Sequence, residues 1–281
     1  MSRSIKRILA LLAAPVVMLC AVTVTPVHAK DLFYTTITDD VGATALIAIH
    51  VHNANKTTTT SIGAGMGGGW CGSLALSPAG TLYSICGDPF GSGDQWLATV
   101  DQVTGSATQV GTTSVSGLMV MSLEFGPDGT LYAVGNCNPG PAECGFDLTD
   151  YNSLYKVDLG TGAFTRIGPT EAPLFVMDLA MDRHGNMYGV TSTLNPSAGP
   201  LATLYRIDLA TGTATKVVDL VGSTSIMGLS FDRKKDKLYA TDFYSMNSAL
   251  YLVDIKTGFL TPVATMGKGY SNNLVSVPEK D

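Results

Sequence analysis

Asp178 and Glu124 are the side chains of this chain best placed to do chemistry. The segments SLEFGPDGTLYAV, DLAMDRHGNMYGV and GLSFDRKKDKLYAT repeat one phrase, and each of the two acids falls where every other copy is uncharged. A charge held in an enclosed place needs a partner. Two carboxylates from adjacent copies could hold a divalent cation or work as an acid/base pair. Hydrogen bonds to water and neighbouring backbone would serve them equally. His50 and His52 alternate on one strand face, an acceptable spacing for metal ligands. His52, however, aligns with a turn-capping Asp of the other copies. The sequence shows no nucleophile elbow, HExxH or catalytic triad. Gly63-Ala-Gly65-Met-Gly-Gly68 matches a phosphate-binding pattern, but a strand follows it where a helix is required.

The elements that must position these residues come in four recurring strand types, a to d. The a strands begin near Ser73, Ser122, Asp178 and Gly228, with Asn273-Leu-Val-Ser-Val277 as a lone fifth. The b strands centre on Phe33, Tyr83, Tyr132, Tyr188 and Tyr239, spaced 50, 49, 56 and 51 residues apart, a period that suits propeller blades. The c strands precede, and the d strands follow, Thr-Gly turns such as Asp158-Leu-Gly-Thr-Gly162. There the Asp caps the turn and Gly takes the left-handed position. The count predicts an all-β, five-bladed β-propeller of four-stranded blades. The first copy lacks an a strand and the carboxyl end supplies one, so the ring should close by pairing the C-terminal strand with the N-terminal blade.

Residues 1–29 read as a secretory signal peptide, with Arg3, Lys6 and Arg7 before an apolar run from Ile8 to Val24 and the small-residue site Val27-His28-Ala29. Residues 30–281 then form one propeller domain. Its blades cover about 30–63 plus 272–278, 70–112, 119–168, 175–219 and 225–265. Removing the leader takes 17 basic against 23 acidic residues to 14 against 23, a net charge of −9. That balance, without basic clusters, excludes nucleic acid and anionic membrane surfaces as natural partners. A secreted or periplasmic monomer without a membrane anchor is expected. Cys71 and Cys86 fall opposite each other on neighbouring strands, and Cys137 and Cys144 bracket a loop, so two disulfides are expected.

The short a–b and c–d hairpins lie on one rim, and the variable b–c and d–a links lie on the other. Variable loops on a rigid scaffold are where binding is usually placed. The candidate ligand residues there are Trp70, Asp88, Trp96, Asn136, Tyr151, Asp242, Tyr244, Tyr270 and Asn273, aromatics beside Asn and Asp as a glycan or small polar ligand wants. The a-strand starts ring the channel mouth on the same face. They read Gly72-Ser73, Met121-Ser122, Met177-Asp178, Met227-Gly228 and Asn272-Asn273, the methionines serving as packing.

The stretches SLYKVDLGTGAFTRIG from Ser153 and TLYRIDLATGTATKVV from Thr203 resemble the motifs of secreted bacterial propellers of the NHL and YVTN (quinoprotein-dehydrogenase-like) groups. The resemblance implies a propeller and a broad choice of functions: binding and scaffold proteins, and some lyases. It carries no catalytic residue onto this chain. The reading that follows is a binding or interaction module for a small polar ligand, a glycan or a protein. The alternative is a glycoside hydrolase or metal-assisted lyase using Glu124 and Asp178.

Overall fold

The computed structural model describes residues 31–38, 44–53, 56–62, 66, 70–87, 95–115, 117–137, 152–192, 201–223, 225–232, 234–242, 249–265 and 270–278. They build five antiparallel four-stranded sheets. Blade one joins β1 (Asp31–Thr38), β2 (Thr44–Asn53) and β3 (Lys56–Ile62) to β20 (Tyr270–Val277), in the order β20-β1-β2-β3. Blade two holds β4 (Cys71–Leu76), β5 (Leu82–Cys86), β6 (Trp96–Val100) and β7 (Ala107–Thr112). Blade three holds β8 (Leu118–Phe125), β9 (Leu131–Cys137), β10 (Asn152–Val157) and β11 (Phe164–Pro169). Blade four holds β12 (Val176–Met181), β13 (Met187–Thr191), β14 (Thr203–Ile207) and β15 (Ala214–Asp219). Blade five holds β16 (Ile226–Asp232), β17 (Lys237–Asp242), β18 (Ala249–Val253) and β19 (Leu260–Thr265). The inner strands β4, β8, β12, β16 and β20 each touch the next, and β20 touches β4, which closes the ring. The chain is therefore the five-bladed propeller that its period predicts, with the closing strand where the offset put it.

Local sequence explains each layer. Inner strands are covered on both faces and run nearly unbroken in apolar or small residues, as in Val176–Met181. Outer strands are half-exposed or exposed along their length, as in Ala214–Asp219. The core is a set of clusters between blades. Ile85 and Leu97 of blade two pack with Leu123, Phe125 and Tyr155 of blade three. Val190 and Leu204 of blade four pack with Leu229, Phe231 and Leu238 of blade five. Each such side chain contributes about 1.5–3 kcal/mol on burial.

Asp101, Asp158, Asp208 and Asp254 each accept two backbone N–H groups within their c–d turns through Oδ1. These donors, preceded at Asp158 by the Thr161 hydroxyl, hold all four carboxyls below the usual range. The sequence reading of the turns as Asp-capped is correct. It missed what the Gly does next. The turns of Asp158, Asp208 and Asp254 press against the outer strand of the preceding blade. A methyl group on Gly168 would lie 2.1 Å from the Thr211 carbonyl oxygen, and one on Gly111 would lie 1.9 Å from that of Thr161. Gly168→Ala is therefore expected to cost about 2–3 kcal/mol by overpacking backbone against backbone. Gly160→Ala, whose nearest neighbour would be 3.4 Å away, should change little. Urea unfolding of the two variants checks the contrast.

Cys71 and Cys86 are opposed in the β4–β5 register and joined in a disulfide, as the hairpin predicts. The bridge closes a separation of 15 residues, which corresponds to about 3 kcal/mol of stabilisation. Reduction should lower the urea midpoint accordingly, and Cys71→Ser with Cys86→Ser should reproduce the loss without reductant. Cys137 ends β9, whereas Cys144 lies outside the described residues. One b-strand position shifts: Tyr34, and not Phe33, faces the next blade as Tyr132 and Tyr239 do. Leu274 packs against blade five as Leu229 packs against blade four, so Asn273 stands where Ser122, Asp178 and Gly228 stand, as the sequence alignment placed it.

Candidate functional site

Every inner strand has a register shift where it enters the ring, and the residues at these shifts converge on Asp178. A bulge turns its strand's N–H groups away from the ladder and frees them for other acceptors. Asp178 is one such acceptor and is completely buried. Its Oδ1 accepts from Ser122 Oγ of blade three at 2.5 Å, Asn273 Nδ2 of blade one at 2.8 Å and its neighbour Leu179 N at 3.0 Å. Its Oδ2 accepts from Leu229 N of blade five at 2.6 Å and Leu274 N of blade one at 3.3 Å. Blade two joins through Asn273, whose Oδ1 accepts from Ser73 N. The Asn273 amide also donates to Met121 O at 3.1 Å, and its carbonyl accepts from Thr35 Oγ1 at 2.6 Å. One carboxylate and one carboxamide thus bind all five blades together at the channel mouth.

The conformations fit this arrangement. Ser73 and Asn273 have φ of 59° and 58°, and Asn tolerates that region better than most residues. Gly228 has no room for a side chain, since a methyl there would meet Thr241 Oγ1 and the Asn273 carbonyl. Burial pushes the Asp178 carboxyl up to about 8 against the opposing pull of its hydrogen bonds. Ser122 can take the proton in either sense. Its hydroxyl donates to Asp178, or turns toward Leu123 O at 3.5 Å and accepts from the acid.

The other residues singled out by sequence are more dispersed. Glu124 is buried on β8, two residues beyond Ser122 toward the a–b hairpin. Trp70 is half-buried with its ring against the Gly72 backbone, which explains why residue 72 has no side chain. Trp96 lies opposite Cys86 and packs on the cluster that holds the disulfide, so at least one of its faces is committed to the core. Asp242 ends β17 and accepts from Ser225 Oγ at 3.2 Å. It also reinforces the upward shift of the Tyr251 hydroxyl that burial starts. Tyr270 begins β20. His50 is half-buried on β2, and His52 follows on the same strand. Asp88, Tyr151 and Tyr244 lie outside the described residues. Among the described residues no three His, Cys, Asp or Glu side chains gather as a metal site, and no helix is long and apolar enough to cross a membrane.

Sequence reasoning overlooked the carboxamides Gln95 and Asn152, which reach from one blade to the next. Gln95 Oε1 accepts from Val120 N at 2.8 Å, and Asn152 Nδ2 donates to Leu174 O at 2.9 Å. Each stands five residues before the Val that ends its c strand, and that repeated position was a legible signal.

No protein-family model matches the sequence, and no curated protein matches it either. Solved structures do share its fold. A chain of the nidogen/laminin complex matches with a TM-score of 0.56 at 9% identity, over 89% of this chain and 100% of that one. TolB from Acinetobacter baumannii matches with a TM-score of 0.51 at 12% identity, over 89% and 67%. A putative 6-phosphogluconolactonase from Bacteroides fragilis matches at 0.50 and 10% identity, over 88% and 98%. At such identities the likeness establishes the β-propeller fold. It does not single out the NHL or YVTN groups within it.

Proposed function

We propose that this chain is an exported binding or interaction module that presents its b–c/d–a rim to a glycan, a small polar ligand or a protein. The observation that carries the proposal is the occupation of Asp178. Five donors fill both of its oxygens, so the charge that sequence nominates for chemistry is engaged in joining the blades. This supports binding over a glycoside hydrolase or metal-assisted lyase, which needs such an oxygen open to substrate, water or cation. Among the fold neighbours, the complex of nidogen with laminin gives a propeller-containing precedent for protein association. Export is supported by the Cys71–Cys86 bridge, since disulfides persist in oxidising compartments.

The test uses the chain from Lys30 as a purified protein. It is screened on glycan arrays, by pull-down from extracellular fractions, and for turnover of chromogenic glycosides with and without added Ca²⁺. Binding without turnover is the expected result. Hydrolysis or elimination that disappears in Glu124→Gln would overturn the proposal in favour of an enzyme.

A further inference from the structure

The seam between blades three and four holds a pair of buried carboxamides that, given the binding reading above, deepens that reading. Asn136 on β9 and Asn152 on β10 are register partners, so their side chains leave the sheet on the same face about 4.5–5.5 Å apart. That face looks toward blade four. Tyr132 and Val134, which alternate with Asn136, and Leu154, which alternates with Asn152, all pack with Val176, Leu179, Met181 and Ile207. The link into blade four runs beside Asn152, because Thr170 N donates to Asn152 O at 2.9 Å and Leu174 O accepts from Asn152 Nδ2.

Both carboxamides are almost wholly buried, at 2% and 4% exposure, and each has one atom without a partner. For Asn136 it is the donor Nδ2, and for Asn152 it is the acceptor Oδ1. A buried amide left without its hydrogen bond costs about 1–3 kcal/mol, so neighbouring orphans of opposite sense call for one group that satisfies both. A carboxylate or phosphate can only accept, and an ammonium can only donate. A hydroxyl does both at a single oxygen.

We infer that the Asn136–Asn152 pair is a slot for one hydroxyl of a neutral saccharide. The rest of the ligand lies over Met119 and Leu174, half-buried side chains on β8 and the link into blade four that offer an apolar surface to sugar C–H groups. Met119 is the register partner of Asn136, so this surface adjoins the slot. Uncharged hydrogen bonding paired with an apolar platform selects for carbohydrate over anionic ligands.

The test is calorimetric titration of the chain from Lys30 with gluco-, manno-, galacto- and xylo-configured oligosaccharides, repeated with Asn136→Leu and Asn136→Ser. Wild-type protein is expected to bind at least one of them, and both variants to bind it at least tenfold more weakly. Asn136→Leu should also unfold at the same or a higher temperature, because it removes an unpaired polar group from a buried place. Monodeoxy sugars should reproduce the loss with wild type at one position and be indifferent there with Asn136→Ser. Saccharide binding that survives both variants overturns the slot and leaves the binding reading standing. So does a crystal structure with a lone water between the two amides and the sugar seated elsewhere. If none of these saccharides binds, the slot is overturned, while arrays and pull-downs still decide the wider reading. Turnover lost in Glu124→Gln fails that reading by a separate signal.

Discussion

Asp178→Asn is expected to destabilise the protein by about 1–3 kcal/mol, although the two side chains have nearly the same size and shape. The reason is the sense of the hydrogen bonds. If the new amide nitrogen takes the Oδ2 position, it confronts Leu229 N and Leu274 N, which can only donate. If it takes the Oδ1 position, it confronts Asn273 Nδ2. Leu179 N keeps Ser122 Oγ at 2.9 Å, and Ser122 can turn its own hydroxyl away. At least one buried donor therefore faces another donor in either rotamer, at a cost of about 1–3 kcal/mol. Protonation of the native acid does not alter this, because a carboxyl O–H can still accept while it donates and an amide nitrogen cannot. Urea unfolding at pH 7 measures the loss. An unchanged midpoint would mean that Asp178 does not join the blades.

The same carboxyl makes stability depend on pH in an unusual direction. An unfolded Asp titrates near 3.9, and burial lifts the native group to about 8. Between those values the native state keeps a proton that the unfolded chain has released. Stability is then fully present below about pH 4 and declines as pH rises toward 8, by at most about 1.4 kcal/mol per pH unit for one proton. Wild type should be more stable at pH 5 than at pH 8 in matched urea titrations. Asp178→Asn should lose most of that difference.

Local chemistry made the scaffold readable from the chain alone, whereas the contacts that hold it closed were not readable. Asp158 to Gly162 specifies a turn within five residues, and copies of that turn give the blade count and the c–d hairpins directly. The lone strand at 273–277 was visible as a remainder of the period. Its alignment by the Leu that follows Asn273 holds, because a slip of one residue would move its side chains to the other face, and Leu274 packs against blade five as Leu229 packs against blade four. Asp178 did announce itself as an unmatched charge. Its partners did not, since Leu229, Ser122, Asn273 and Leu274 lie 51 to 96 residues away in the chain. Trp70 and Trp96, nominated as aromatics near loops, each turn one face to Gly72 or to the disulfide cluster, contacts that cross between strands and leave no mark in the sequence.

Asn273→Asp should be at least as damaging at neutral pH, and acid should rescue it. The substitution keeps the size of the side chain, its acceptor for Ser73 N, and a residue type that tolerates φ near 58°. It changes only the amide nitrogen, now an oxygen placed 2.8 Å from Asp178 Oδ1 and 3.1 Å from Met121 O, with no donor between them. Asp178 already keeps a proton in the native state, so the added acid, buried against it, must keep a second one. The unfolded chain binds no such proton above about pH 4. The variant should therefore approach wild-type stability near pH 4 and fall behind steadily as pH rises, reaching a deficit of about 3–5 kcal/mol by pH 8, the usual cost of an uncompensated buried charge. Because Asn273 belongs to the strand that closes the ring, the first consequence should be release of β20 from β1, β4 and β16. Amide exchange should report it as lost protection at residues 273–277, while β9, β10, β13 and β14 remain protected. If the deficit proved independent of pH, or protection fell equally in every blade, the carboxylate pair would not be the cause and closure would not depend on it.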